Sequence, residues 1–180
     1  MTEKITTDDP QRFESLYGAQ YRAIFSGWAE TESPFRNHDW GQVLLPGTAL
    51  SLDEPEFAAL ANAAKSTGDA EFAATMMNSI PMHSVAIVGL WDRSRTTILE
   101  GESQIDLLDY AVFGKSTRWG VVAYHEGFTR VAGDREFMER FLGALSGIES
   151  VRARFLRFAD EEWRHVSADY KQKVLNSVGW

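Results

Sequence analysis

Cysteine is absent from this 180-residue chain, and histidine occurs only at His38, His83, His125 and His165. The missing thiols exclude disulfides and thiolate metal ligands. No two histidines are three or four residues apart, so the chain lacks the two-histidine helix motif of zinc enzymes. The adjacent pairs His38-Asp39 and His125-Glu126 would need a further ligand from elsewhere. The sequence therefore predicts no bound metal and no other cofactor.

Glycine motifs and long apolar runs are missing as well. The chain has no Gly-x-Gly-x-x-Gly, no lysine-bearing phosphate loop and no Gly-x-Ser-x-Gly elbow, which disfavours nucleotide binding and serine hydrolysis of the common kinds. Its longest apolar run, Val85 to Trp91, is far shorter than the roughly 20 residues of a membrane span. The first residues lack the features of a signal peptide, so we expect a cytoplasmic protein that binds no membrane.

Acidic side chains outnumber basic ones, and they are unevenly placed. The chain carries 26 Asp and Glu against 18 Lys and Arg, a net charge of −8. Residues 1–110 hold 17 acidic and 7 basic side chains, whereas residues 111–180 hold 9 and 11. Such a field repels nucleic acid and attracts cationic partners, so we expect no nucleic-acid partner. The alternative is that the charge only keeps the protein in solution.

Helical and strand-like segments together predict a single α+β domain over residues 1–180, with a helical part at 9–80. Asp9-Pro10 has the composition of a helix start, because proline is well tolerated at the first helical position. Asp53-Glu54-Pro55-Glu56 resembles a capping box. Gly68-Asp69 is expected to begin a second short helix, which would form a helical hairpin with the helix before it.

Short β-rich runs over residues 84–132 predict an antiparallel meander sheet of about five strands. A further short strand is expected from Trp40 to Leu45. Two C-terminal helical segments, 134–146 and 151–175 within 134–176, are expected to pack on one face of this sheet. The second segment is either one long helix or two helices broken near residues 165–167.

One stretch of the chain, residues 113–141, resembles a strand–turn–strand–helix ending found in small bacterial proteins. Several of these are immunity proteins encoded beside secreted or contact-delivered toxins. The matching features are Trp-Gly opening a strand, an acidic residue at the hairpin, a glycine before a helix, and Phe-x-x-x-Phe in that helix: Trp119-Gly120, Glu126, Gly133, Phe137 and Phe141. The resemblance covers about a sixth of the chain and implies a cytoplasmic inhibitor that occludes a toxin domain without catalysis.

Acidic residues and one tryptophan are the candidate partner-binding residues: Asp53, Glu54, Glu56, Glu100, Glu102, Asp106, Asp109 and Trp40. Carboxylates would attract a basic partner, such as a nuclease toxin, and exposed tryptophan is enriched at binding hot spots. No catalytic residue is predicted. The alternative is a small enzyme or ligand-binding domain with a pocket between sheet and helices, and a third possibility is a structural subunit with a self-complementary apolar patch.

Overall fold

The computed structural model describes residues 10–27, 29–47, 52–77, 86–93 and 109–180. Within these residues the chain forms five α-helices and one antiparallel sheet of six strands, which confirms the α+β prediction with one strand more than expected. The helices are α1 (Pro10–Ile24), α2 (Glu54–Ser66), α3 (Arg135–Ala144), α4 (Ile148–Glu162) and α5 (Ala168–Asn176). The strands are β1 (Gly41–Pro46), β2 (Glu71–Met76), β3 (Ala86–Leu90), β4 (Tyr110–Phe113), β5 (Trp119–Tyr124) and β6 (Phe128–Gly133).

The strands lie side by side in the order β1-β6-β5-β4-β2-β3, and every neighbouring pair is antiparallel. Strands β4, β5 and β6 form a meander as expected, but β3 is not part of it, because β2 lies between β3 and β4. The sheet then extends at both sides with strands from the part of the chain predicted to be mainly helical, because β1 pairs with β6 and β2 pairs with β4. One of the short β-rich runs behind the predicted meander, residues 96–99, lies outside the described residues.

The prediction that Gly68-Asp69 begins a short helix is wrong, because Glu71–Met76 is strand β2. This strand lies between β3 and β4, and both of its faces are buried. Phe72 belongs to one hydrophobic core and Ala73 to the other. A strand covered on both sides shows no polar alternation, so its alanine-rich sequence resembles a buried helix.

The sheet is the middle of three layers. One core lies between the sheet and helices α2 and α3, and the other lies between the sheet and helices α1 and α5. Trp119 lies at the start of β5, a buried strand beside α3, as predicted. Its ring stacks on Phe137 with the ring centroids 5.7 Å apart, and its indole N–H donates to Asp69 over 2.7 Å.

Helix α4 crosses from one layer to the other along the edge strand β1. Val151 near its start belongs to the core of α2 and α3, whereas Phe155 and Ala159 belong to the core of α1 and α5. This corrects the expectation that the C-terminal helices pack on a single face. The helical segment predicted at 151–175 is two helices. The chain turns after Glu162, and Ser167 caps α5 by accepting a hydrogen bond from the backbone N–H of Tyr170. Within the described ranges, no helix is both long and apolar enough to cross a membrane.

Candidate functional site

Helix α2 begins at the first group of predicted partner-binding carboxylates. Asp53 and Glu54 are exposed, as expected for such a role. Glu56 is not, because its side chain is only 2% exposed and forms an ion pair with Arg154 of α4. A second oxygen of Glu56 accepts a hydrogen bond from the backbone N–H of Asp53 over 3.1 Å. Glu56 therefore fixes the start of α2 against α4 instead of facing a partner.

The remaining predicted residues do not form one surface. Asp109 is 2% exposed and accepts a hydrogen bond from the backbone N–H of His125 over 3.0 Å, which corrects the expectation that it faces solvent. Trp40 is half-buried and its ring packs against Phe35, with centroids 5.9 Å apart. Three more of the predicted residues, Glu100, Glu102 and Asp106, lie outside the described part of the chain.

Two open clefts adjoin each other along the second half of α4. The first, of about 300 Å³, lies between the start of α2, the end of β1 and α4, and the second, of about 350 Å³, lies between the β5–β6 turn and the end of α4. Phe158 and Glu162 line both clefts, so we treat the two as one surface and name it the acidic groove. Its lining residues are Pro46, Gly47, Asp53, Glu56, Glu126, Gly127, Arg154, Arg157, Phe158, Glu161, Glu162, Trp163, His165 and Val166.

Carboxylates dominate the charge of the acidic groove. Five of its lining residues are acidic and two are arginines. The charges of Glu56 and Arg154 cancel, because the two side chains form an ion pair. Four carboxylates then remain against the single guanidinium of Arg157: Asp53, Glu126, Glu161 and Glu162. The groove therefore favours a cationic ligand.

An aromatic side chain lies in the middle of the acidic groove. Phe158 is half-buried, and its ring contacts those of Phe155 and Trp163 with centroids 5.7 Å away in each case. Because these two neighbours are buried in the core, Phe158 is held in place while part of its ring stays exposed. A partner can thus meet both charge and a rigid apolar contact here.

At one end of the acidic groove, the turn between β5 and β6 carries the adjacent pair His125-Glu126. Gly127 completes the turn with a φ of 82°, a conformation that glycine adopts without strain. His125 Nδ1 lies 2.9 Å from a carboxylate oxygen of Asp109, and His125 Nε2 lies 2.9 Å from Oε1 of Glu126. The hydrogen bond to Asp109 is the main cause that raises the pKa of His125, whereas burial raises the pKa of Glu126.

Glu30, from the loop after α1, joins this turn. One potential ligand atom from each of Glu30, His125 and Glu126 lies within 4.8 Å of the others. The sequence identified the adjacent pair His125-Glu126 but not the third group. Nothing in the local sequence around Glu30 marks it, because it comes from a loop far away along the chain.

Behind the turn, a polar group is buried among the aromatic residues of the core. Arg130 of β6 is fully buried and donates to the backbone oxygen of Glu30 over 2.6 Å and to Ser177 over 2.7 Å. Burial lowers the pKa of Arg130 and raises those of Tyr124 and Tyr170. Sequence reasoning missed Arg130, although a signal exists: it alternates with Phe128 and Ala132 on one face of a predicted strand.

No protein-family model, no curated protein and no solved structure matches this chain. Its function must therefore be inferred from its own residues and their geometry.

Proposed function

We propose that this protein binds a basic segment of a protein partner in the acidic groove, and that it acts as an immunity protein which neutralises a cognate bacterial toxin by occlusion. The observation that carries the proposal is the composition of the groove, in which four carboxylates and one guanidinium surround the rigid, partly exposed ring of Phe158. Carboxylates attract a cationic partner, and the aromatic ring supplies the apolar contact on which affinity depends.

The resemblance of residues 113–141 supports the choice of an inhibitor. Its acidic hairpin residue, Glu126, is one of the residues that line the groove. Its Trp119, Phe137 and Phe141 lie in β5 and α3, where they belong to one of the two cores that pack on the hairpin. A cytoplasmic location and a bacterial origin belong to the same proposal, because an immunity protein protects the cell that makes the toxin.

Growth of cells that express the product of the neighbouring gene tests this function. We expect that product to arrest growth alone and to be harmless when the wild-type protein is co-expressed. Glu162→Lys should abolish or strongly reduce protection, because Glu162 lines both clefts of the groove. Asp160→Lys is the matched control, since Asp160 is an exposed residue on the same helical turn but does not line the groove.

Both substitutions place a cation near the C-terminus of α4, where the helix dipole favours it, so neither should destabilise the protein. Thermal unfolding of the two variants checks this point. Equal protection by both variants would contradict the role of the groove. A neighbouring product that has no effect on growth would contradict the immunity function itself.

A further inference from the structure

We infer that Glu30, His125 and Glu126 bind a divalent first-row transition metal ion, zinc or a close relative of it, through one imidazole nitrogen and two carboxylates. Their three ligand atoms already lie within 4.8 Å of one another. This property goes beyond the proposed toxin inhibition and does not depend on it. It also differs from the prediction of no bound metal, which followed from the scattered histidines. A distant loop supplies the third ligand that the sequence did not reveal.

The distances within the cluster suit a shared ion. Zinc lies about 2.0–2.2 Å from nitrogen and oxygen ligands, so two ligands on one ion are roughly 3 Å apart. Nε2 of His125 and Oε1 of Glu126 are 2.9 Å apart. Glu30 lies in a loop, and a ligand atom of its half-buried side chain lies within 4.8 Å of the other two.

Asp109 orients the imidazole for this role. Its carboxylate is buried and lies 2.9 Å from Nδ1 of His125, so the hydrogen of the neutral ring is held on Nδ1. Nε2 then points away from Asp109 and toward Oε1 of Glu126, and an ion bound between these two atoms would replace any proton that they share. A carboxylate that holds the second nitrogen of a metal-binding histidine is the usual arrangement around such ligands in proteins.

A buried oxygen in the cluster lacks a partner. Oε2 of Glu126 is inaccessible to solvent and accepts no hydrogen bond in the described part of the chain. A buried polar atom without a partner destabilises the fold, because it has lost its hydrogen bonds to water. A bound ion would satisfy this oxygen.

The charge of the region also fits a divalent cation. Glu30, Asp109 and Glu126 supply three negative charges, and Arg130 supplies one positive charge. With a neutral imidazole the group carries a net charge of about −2, which a divalent ion would balance within a partly buried region. An imidazole ligand favours zinc, copper or nickel over calcium and magnesium, which prefer sets of oxygen ligands alone.

Titration of the purified full-length protein with Co²⁺, after treatment with a chelator, tests this inference without any partner or activity. We expect visible absorption that saturates at one Co²⁺ per chain, is displaced by Zn²⁺ and is unaffected by an equal concentration of Mg²⁺. Glu126→Gln and Glu30→Gln should each weaken Co²⁺ binding by at least about 10–100-fold, the range that is typical even for loss of a supporting residue.

Two matched controls use residues of the same type nearby. Glu32→Gln changes an exposed carboxylate in the same loop as Glu30, and His165→Ala removes an exposed imidazole that lines the acidic groove. Both control variants should bind Co²⁺ like the wild type. Absence of saturable one-to-one binding by the wild type would overturn the inference, and so would equal losses in the controls and in the ligand variants. Glu30→Gln changes a loop residue outside the core. Its effect on Co²⁺ binding can therefore be measured even if Glu126→Gln fails to fold.

Discussion

Trp119 and Gly120 are adjacent residues at the start of β5 that face opposite layers of the molecule. The ring of Trp119 stacks on Phe137 in the core of α2 and α3. On the opposite face, a Cβ atom at Gly120 would lie 2.8 Å from Cγ2 of Ile24 and 3.0 Å from the ring of Phe35. The Trp-Gly pair, which is part of the resemblance, thus places a large side chain in one core and leaves space for Ile24 and Phe35 in the other.

Gly120→Ala should lower the free energy of unfolding by about 1–3 kcal/mol, because the added methyl group overfills a closed core. The matched control is Gly143→Ala in α3, where a Cβ meets no atom within 4 Å. That substitution should stabilise the protein by about 0.5–1 kcal/mol through higher helix propensity. Urea unfolding of both variants measures the difference. A neutral Gly120→Ala would mean that α1 does not pack closely on β5.

The cluster of Glu30, His125 and Glu126 shows which part of a site the sequence could not predict. The pair His125-Glu126 is visible in the sequence because its members are adjacent. Glu30 and Asp109 reach it only through the folded chain, since one comes from the loop after α1 and the other precedes β4. Contacts of this kind depend on strand order, and the sequence does not encode strand order in any local pattern.

Helices and strands whose apolar residues recur with a clear period could be predicted from the sequence, and those without such a period could not. The composition around Pro10 and the capping composition at Asp53 identified the starts of two helices correctly. Strand β2 was mistaken for a helix because its residues are buried on both sides of the sheet. The position of α4 was not predicted correctly. Its buried residues pass from one core to the other along the edge strand β1, but in the sequence they resemble the apolar face of a helix that packs on one layer.

Helix α3 provides a test of how the helices pack on the sheet. Phe141 is fully buried in this helix, and its ring stacks on Phe137 with centroids 6.2 Å apart. Phe141→Ala should cost about 3–5 kcal/mol of unfolding free energy through lost burial and the cavity left behind. The neighbouring Leu142 is only partly buried, so Leu142→Ala should cost clearly less. Equal costs in chemical denaturation, or a cost below about 1 kcal/mol for Phe141→Ala, would contradict this packing.

At the scale of the whole molecule, the path of α4 creates the acidic groove. Because α4 runs along the β1 edge, its second half meets both the start of α2 and the β5–β6 turn. Carboxylates from three separate parts of the chain thereby line one surface. The net charge of −8 strengthens the attraction of this surface for a cationic partner at a distance, and salt screens that attraction over about 8 Å at physiological ionic strength.

The kinetics of binding between this protein and the purified product of the neighbouring gene test the central claim most directly. We expect the association rate constant to fall about tenfold or more from low to high salt, while the dissociation rate constant changes less. Glu162→Lys and Asp160→Lys should slow association to similar extents, because the field acts at long range, but only Glu162→Lys should speed dissociation, since it alone removes a contact in the groove. Salt-independent association, or equal dissociation rates for the two variants, would contradict binding of a basic partner in the acidic groove.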